Sequence, residues 1–137
     1  MATILLVDDE AEVVVTAREI LEGQGFRILS ALNAEEALRV AAAHAGPIHL
    51  LLTDVVMPGT SGQVLARQLT LQRPEMKVLY MSGFVLLERQ QQFSHEFGGP
   101  ILLKPFTIER LTEKVRAVLD AKPASPFDRP PDPWRST

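Results

Sequence analysis

Asp8, Asp9, Asp54, Ser82 and Lys104 are the residues of this sequence whose types could do chemistry together. Each stands at the end of an apolar run: Asp8-Asp9 after Thr3–Val7, Asp54 after Leu50–Thr53, Ser82 after Val78–Met81 and Lys104 after Pro100–Leu103. Carboxylates are hard oxygen ligands suited to Mg²⁺, which keeps several waters and takes only a few protein oxygens. A lone Asp is a poor nucleophile towards a phosphoryl group, because both are anionic. A divalent cation and an ammonium group remove that repulsion and neutralise the charge spread over the phosphoryl oxygens. Lys104 supplies an ammonium and Ser82 a hydroxyl donor. The set meets the requirements for phosphorylating a carboxylate.

The elements that must position these groups follow from hydrophobic patterning. Leu50–Asp54, closed by Pro58-Gly59, reads as a strand buried on both faces. Thr3–Val7, Phe26–Ser30, Val78–Met81 and Pro100–Leu103 read as four more strands. Val13, Ala17, Ile20 and Leu21 mark one face of a first helix that Gly23 and Gly25 close. Asn33 with Glu36 is a capping-box-like start for an Ala-rich second helix. Thr60 or Ser61 caps a third, carrying Val64, Leu65, Leu69 and Leu71 and ended by Pro74. Glu88–Phe97 is the weakest pattern, a short polar helix. Thr107 caps a last helix with Ile108, Leu111, Val115, Val118 and Leu119 inward. Five strands alternating with five helices predict an α/β fold, a doubly wound five-stranded parallel sheet. In such sheets the strand ends lie along one edge, where ligands collect.

The chain has 137 residues, enough for one domain with a real core. The domain is expected over 1–121. From 122 to 137 the chain holds five of its ten prolines and no apolar period, which predicts a disordered Pro-rich tail. Cysteine is absent, excluding disulfides, thiolate metal sites and Cys nucleophiles. Without residues 121–137 the balance is 15 acidic to 11 basic residues, no footprint for nucleic acid. No apolar run reaches the roughly 20 residues that span a bilayer. The N-terminus enters a strand without a signal-peptide pattern, so the expected location is cytoplasmic, with no membrane contact by this domain.

Val7-Asp8-Asp9-Glu10, Thr53-Asp54-Val55-Val56-Met57-Pro58-Gly59, Met81-Ser82-Gly83 and Lys104-Pro105-Phe106 together resemble the signature of response-regulator receiver domains of bacterial two-component systems. The resemblance covers about residues 3–121, and the wording is most similar to receivers at the C-terminus of hybrid sensor histidine kinases. It implies a flavodoxin-like three-layer sandwich with strand order 2-1-3-4-5. It also implies that Asp54 takes a phosphoryl group from a phosphohistidine on a histidine kinase or histidine phosphotransfer protein. Asp9 would bind Mg²⁺ directly and Asp8 mainly through water, with Asp54 and the backbone carbonyl of Val56 completing the protein ligands. Ser82 would hydrogen-bond the phosphoryl group, and Lys104 would pair with it beside a cis bond to Pro105. The chemistry implied is self-catalysed transfer and autodephosphorylation rather than conventional enzymatic turnover. One position departs from the pattern: Ile101 stands where the family usually has Tyr or Phe, which puts the usual route of signal output in doubt.

Other readings are weaker. A Mg²⁺-dependent phosphohydrolase of the haloacid-dehalogenase type would carry an acid two residues after its nucleophile, where this chain has Val56. A partner-binding pseudo-receiver would have lost part of the acidic pair or the lysine. His44, His49 and His95 read as surface or packing residues, and Gly59 with Gly62 makes no P-loop because no Gly-Lys-Ser/Thr follows. The sequence leaves open the cognate kinase, the phosphoryl lifetime and dimerisation. It equally leaves open a stand-alone regulator or one domain of a hybrid kinase.

Overall fold

A computed structural model describes residues 1–83 and 100–121 of the chain. Five strands, β1 (Thr3–Val7), β2 (Arg27–Ala31), β3 (Leu50–Asp54), β4 (Lys77–Ser82) and β5 (Ile101–Leu103), form one sheet in the order β2-β1-β3-β4-β5. Every pairing is parallel. The described helices are α1 (Ala11–Gly23), α2 (Ala34–Ala43), α3 (Gly62–Gln72) and α4 (Ile108–Asp120). The expected helix at 88–97 and the expected tail at 122–137 lie outside the described residues.

Alternation along the strands divides the core into two layers. Ile4, Leu6, Leu50, Leu52, Leu79, Met81 and Leu102 pack with α1 and α4 through Val14, Ala17, Leu21, Leu111 and Val115. Leu5, Val7, Leu51, Tyr80 and Ile101 pack on the other side with α2 and α3, through Ala37, Ala41, Leu65, Ala66 and Leu69. Because β1 and β3 are covered on both faces, they read as unbroken apolar runs in the sequence.

Helix starts follow their caps. Asn33 Oδ1 accepts from the Glu36 amide at 2.7 Å, Ser61 Oγ from the Val64 amide at 3.2 Å, and Thr107 Oγ1 from the Arg110 amide at 3.1 Å. The Glu36 carboxylate turns back to accept from Leu32 N–H at 3.0 Å, one residue before the cap. The far end of α2 is held from a distance. The Arg73 guanidinium donates to the carbonyls of Ala41, His44 and Gly46, each at 2.9 Å, tying the last turn of α2 to the loop that follows it.

Several inward faces differ from expectation. On α1 the fully covered residues are Val14, Ala17 and Leu21, while Val13 and Ile20 are only partly buried against them. On α3 the covered stripe is Gly62, Leu65, Ala66 and Leu69, so Val64 and Leu71 face outward, Leu71 at 80% exposure. Leu65 and Leu69 are inward as expected, and the small residues Gly62 and Ala66 complete the stripe, which pattern-reading by large apolar residues overlooks. Ile108 is also exposed, since it occupies the first turn of α4, ahead of the part that covers the sheet.

Candidate functional site

Period-two alternation aims three charged side chains at one place. Asp8 lies two residues past Leu6, Asp54 two past Leu52, and Lys104 two past Leu102, all of which belong to the α1/α4 core layer. Backbone hydrogen bonds fix the strand ends: Asp8 N–H donates to Ala31, Val55 N–H to Met81 and Lys104 N–H to Ser82, at 3.3, 3.0 and 2.8 Å. The Lys104–Pro105 peptide is cis.

At the centre is the Lys104 ammonium. It donates to Asp8 Oδ2 at 2.8 Å, to Asp54 Oδ2 at 3.2 Å and to Glu10 Oε1 at 3.2 Å. The first two partners are buried, with side-chain exposures of 0% for Asp8 and 9% for Asp54, whereas Glu10 is 63% exposed. One carboxylate oxygen from each of Asp8, Glu10 and Asp54 lies within 4.8 Å of the others. Three carboxylates around one ammonium leave an excess of negative charge, and carboxylate oxygens this close suit a small hard cation.

The electrostatics follow from burial and from these partners. Burial raises the Asp54 carboxyl above its ordinary value; the Lys104 charge opposes this and the Asp8 charge reinforces it. Burial alone would lower the Lys104 ammonium. The hydrogen bond to Asp8 and the negative charges of Asp54 and Asp8 outweigh burial and hold it well above the usual lysine range. Asp54 is thus a firmly placed, basic carboxylate beside a permanent cation.

The other residues singled out by sequence surround this centre. Val56 donates its backbone N–H to Asp54 Oδ1 at a long 3.4 Å and leaves its side chain in solvent. Ser82 is buried at the end of β4, and among the described residues its hydroxyl makes one long contact, 3.4 Å to the Gly83 carbonyl. Asp9 is exposed and is not among the three clustered carboxylates. It borders a neighbouring hollow with Asn33, Pro58, Gly59 and Thr60. His49 holds the far edge of the sheet, its Nδ1 accepting from Thr3 N–H at 2.9 Å, in keeping with a packing role.

Two contributors were missed in the sequence. Glu10 joins the site from the end of the acidic run, and its place directly after two aspartates is the signal the sequence offers for it. Gly62 begins α3 with its amide donating to Val55 O at 2.9 Å, and it passes directly against the Asp54 backbone. No sequence pattern announces that contact.

A five-stranded parallel sheet with three carboxylates and a lysine gathered at its carboxyl edge defines a doubly wound α/β domain with an acidic pocket at the ends of its strands. Residues 4–116 match the profile of the response regulator receiver domain, and the chain belongs to that family. It is 31% identical over 121 residues to the sensor kinase CckA of Brucella abortus, covering 87% of this chain but 13% of that protein. With the response regulator receiver protein CpdR of the same organism it shares 29% identity, covering 88% of this chain and 99% of that one. Among solved structures, the receiver domain of the hybrid histidine kinase CckA superposes with a TM-score of 0.72 at 33% identity, covering 87% of this chain and all of that one. A receiver domain from Clostridium thermocellum gives 0.76 at 28%, covering 88% and 95%. Such domains belong to two-component signal transduction and work with histidine kinases or phosphotransfer proteins. Among the described residues no helix is long and apolar enough to cross a membrane.

Proposed function

We propose that Asp54 accepts a phosphoryl group from a phosphohistidine on a histidine kinase or histidine phosphotransfer protein, with Mg²⁺ as cofactor. The observation that carries this reading is the Lys104 ammonium shared between Asp8 and Asp54 in a buried pocket. Asp54 Oδ attacks phosphorus, the P–N bond breaks, and its electron pair returns to the imidazole as the acyl phosphate forms. Burial strengthens the carboxylate as a nucleophile, and β3 holds it in line. Lys104 stays beside the incoming oxygens, and Ser82 exchanges its weak contact with Gly83 for a phosphoryl oxygen.

Asp8, Asp9, Asp54 and the Val56 carbonyl would hold Mg²⁺, with Glu10 at their side. Bound there, the ion supplies positive charge against the phosphoryl oxygens. This reading places the chain in the cytoplasm, where ATP-fed kinases make phosphohistidine. A stand-alone regulator of CpdR's size and the receiver portion of a hybrid kinase both fit it.

Intact-protein mass spectrometry after incubation with phosphoramidate and Mg²⁺ tests the proposal. One base-labile phosphoryl adduct is expected on the wild type and none on Asp54→Asn. An unlabelled wild type, beside a labelled control receiver, overturns it.

A further inference from the structure

An ammonium has three N–H donors, and in this protein all three of Lys104's are taken. A phosphoryl oxygen can bond to Lys104 only when one carboxylate lets go. Asp8 is the wrong one to leave. It is fully buried, and its other oxygen accepts from Glu10 N–H at 2.8 Å. Asp54 is the acceptor itself.

Glu10 combines a fixed backbone with a free arm. Its amide is tied to Asp8, and its carbonyl accepts from the amides of Val13 and Val14 at 3.0 and 3.2 Å, anchoring it at the start of α1. Its side chain is mostly in solvent and borders a hollow of about 480 Å³ with Glu12, Val13, Thr16, Pro105 and Phe106, which gives the arm somewhere to go. An exposed carboxylate recovers its hydration when it leaves an ion pair, so the Glu10–Lys104 contact is the cheapest of the three to break.

We infer that Glu10 is a positioning residue: a releasable third carboxylate that holds Lys104 in the unphosphorylated site and yields it to the phosphoryl group. The inference rests on the proposed phosphoacceptor function. It implies that Glu10 competes with the phosphoryl group for one donor of Lys104. A neutral amide at the same position competes less, because a hydrogen bond to an uncharged acceptor is weaker.

Beryllofluoride, which mimics the phosphoryl group on a carboxylate, is the probe. Its affinity is measured by NMR titration of the full chain at saturating Mg²⁺, so that any change in metal binding is not read as a change in Lys104. Glu10→Gln and Glu10→Ala should each bind roughly two- to fivefold more tightly than wild type, the factor an exposed ion pair is worth. Glu10→Asp, with the charge on a shorter arm, should fall between. In a Lys104→Met background, Glu10→Gln should have no further effect, because the competition is for that ammonium. Unchanged or weaker binding by Glu10→Gln overturns the inference. So does an equal gain in the Lys104→Met background, which would make Glu10 only a distant charge. Failure of the wild type to bind beryllofluoride instead removes the phosphoacceptor function, and the role of Glu10 falls with it.

Discussion

Gly62 begins α3 hard against the backbone of Asp54, so that a Cβ at position 62 would fall inside contact distance of the Asp54 carbonyl oxygen. The same added atom would meet Thr53 Oγ1, which donates to that carbonyl at 3.0 Å. The helix can lie this close to the end of β3 because residue 62 has no side chain.

Gly62→Ala therefore forces α3 away from the end of β3 rather than merely crowding a flexible neighbour. A loss of about 1–3 kcal/mol is expected, the range for overpacking a well-filled core. Phosphoramidate labelling should slow as well, since Asp54 is on the strand that must move. Urea denaturation and a labelling time course check the two effects. An unchanged midpoint would mean that the helix shifts freely at this joint.

Asp54→Asn should stabilise the metal-free protein at neutral pH. Burial is the largest influence on Asp54 and acts against its charged form, exceeding the favourable pull of Lys104. The substitution keeps the shape and removes that charge, so the folded state no longer bears the cost of burying it. The sign with pH follows from linkage. A carboxyl raised in the folded state contributes stability fully present below its unfolded pKa and lost as pH rises through the folded one. The advantage of Asp54→Asn should thus open as pH rises through the folded pKa and close in acid. Denaturation in EDTA across that range measures it. A markedly destabilised variant at neutral pH would sink the argument. Mg²⁺ should then stabilise the wild type more than the variant, which has lost an anionic ligand.

Lys104→Met should act in the opposite direction. It leaves Asp8 and Asp54 buried without their ammonium, and breaking a buried ion pair from one side costs about 3 kcal/mol or more. Lysine raised in the folded state contributes stability fully present below its unfolded pKa, lost only as pH rises through the still higher folded one. The deficit of the variant should therefore persist at neutral pH and shrink only in strong alkali. Millimolar Mg²⁺ should restore part of it, by supplying the missing positive charge. Thermal unfolding with and without the ion reads both outcomes, and a variant as stable as wild type in EDTA would contradict the shared-ammonium geometry.

What the sequence determined by itself was local in origin. Strand positions follow from apolar runs, and the caps at Asn33, Ser61 and Thr107 follow from short polar side chains placed before helical patterns. The placing of Asp8, Asp54, Ser82 and Lys104 at strand ends was legible for the same reason: a parallel sheet turns run endings into one edge. Tertiary structure decided which side of each helix is inward. Val14 rather than Val13 is covered on α1, and Leu71 is left in solvent, because those choices depend on the neighbour each helix meets. It also decided the partners at the centre of the site. Lys104 meets Asp8, Glu10 and Asp54 across separations of 96, 94 and 50 residues. Such contacts are set by sheet order and by the reach of individual side chains, and neither is written in the pattern around any one of them. The exposed arm of Glu10 and the missing side chain of Gly62 acquire meaning only when the carboxyl ends of β1, β3 and β5 lie along one edge of the sheet.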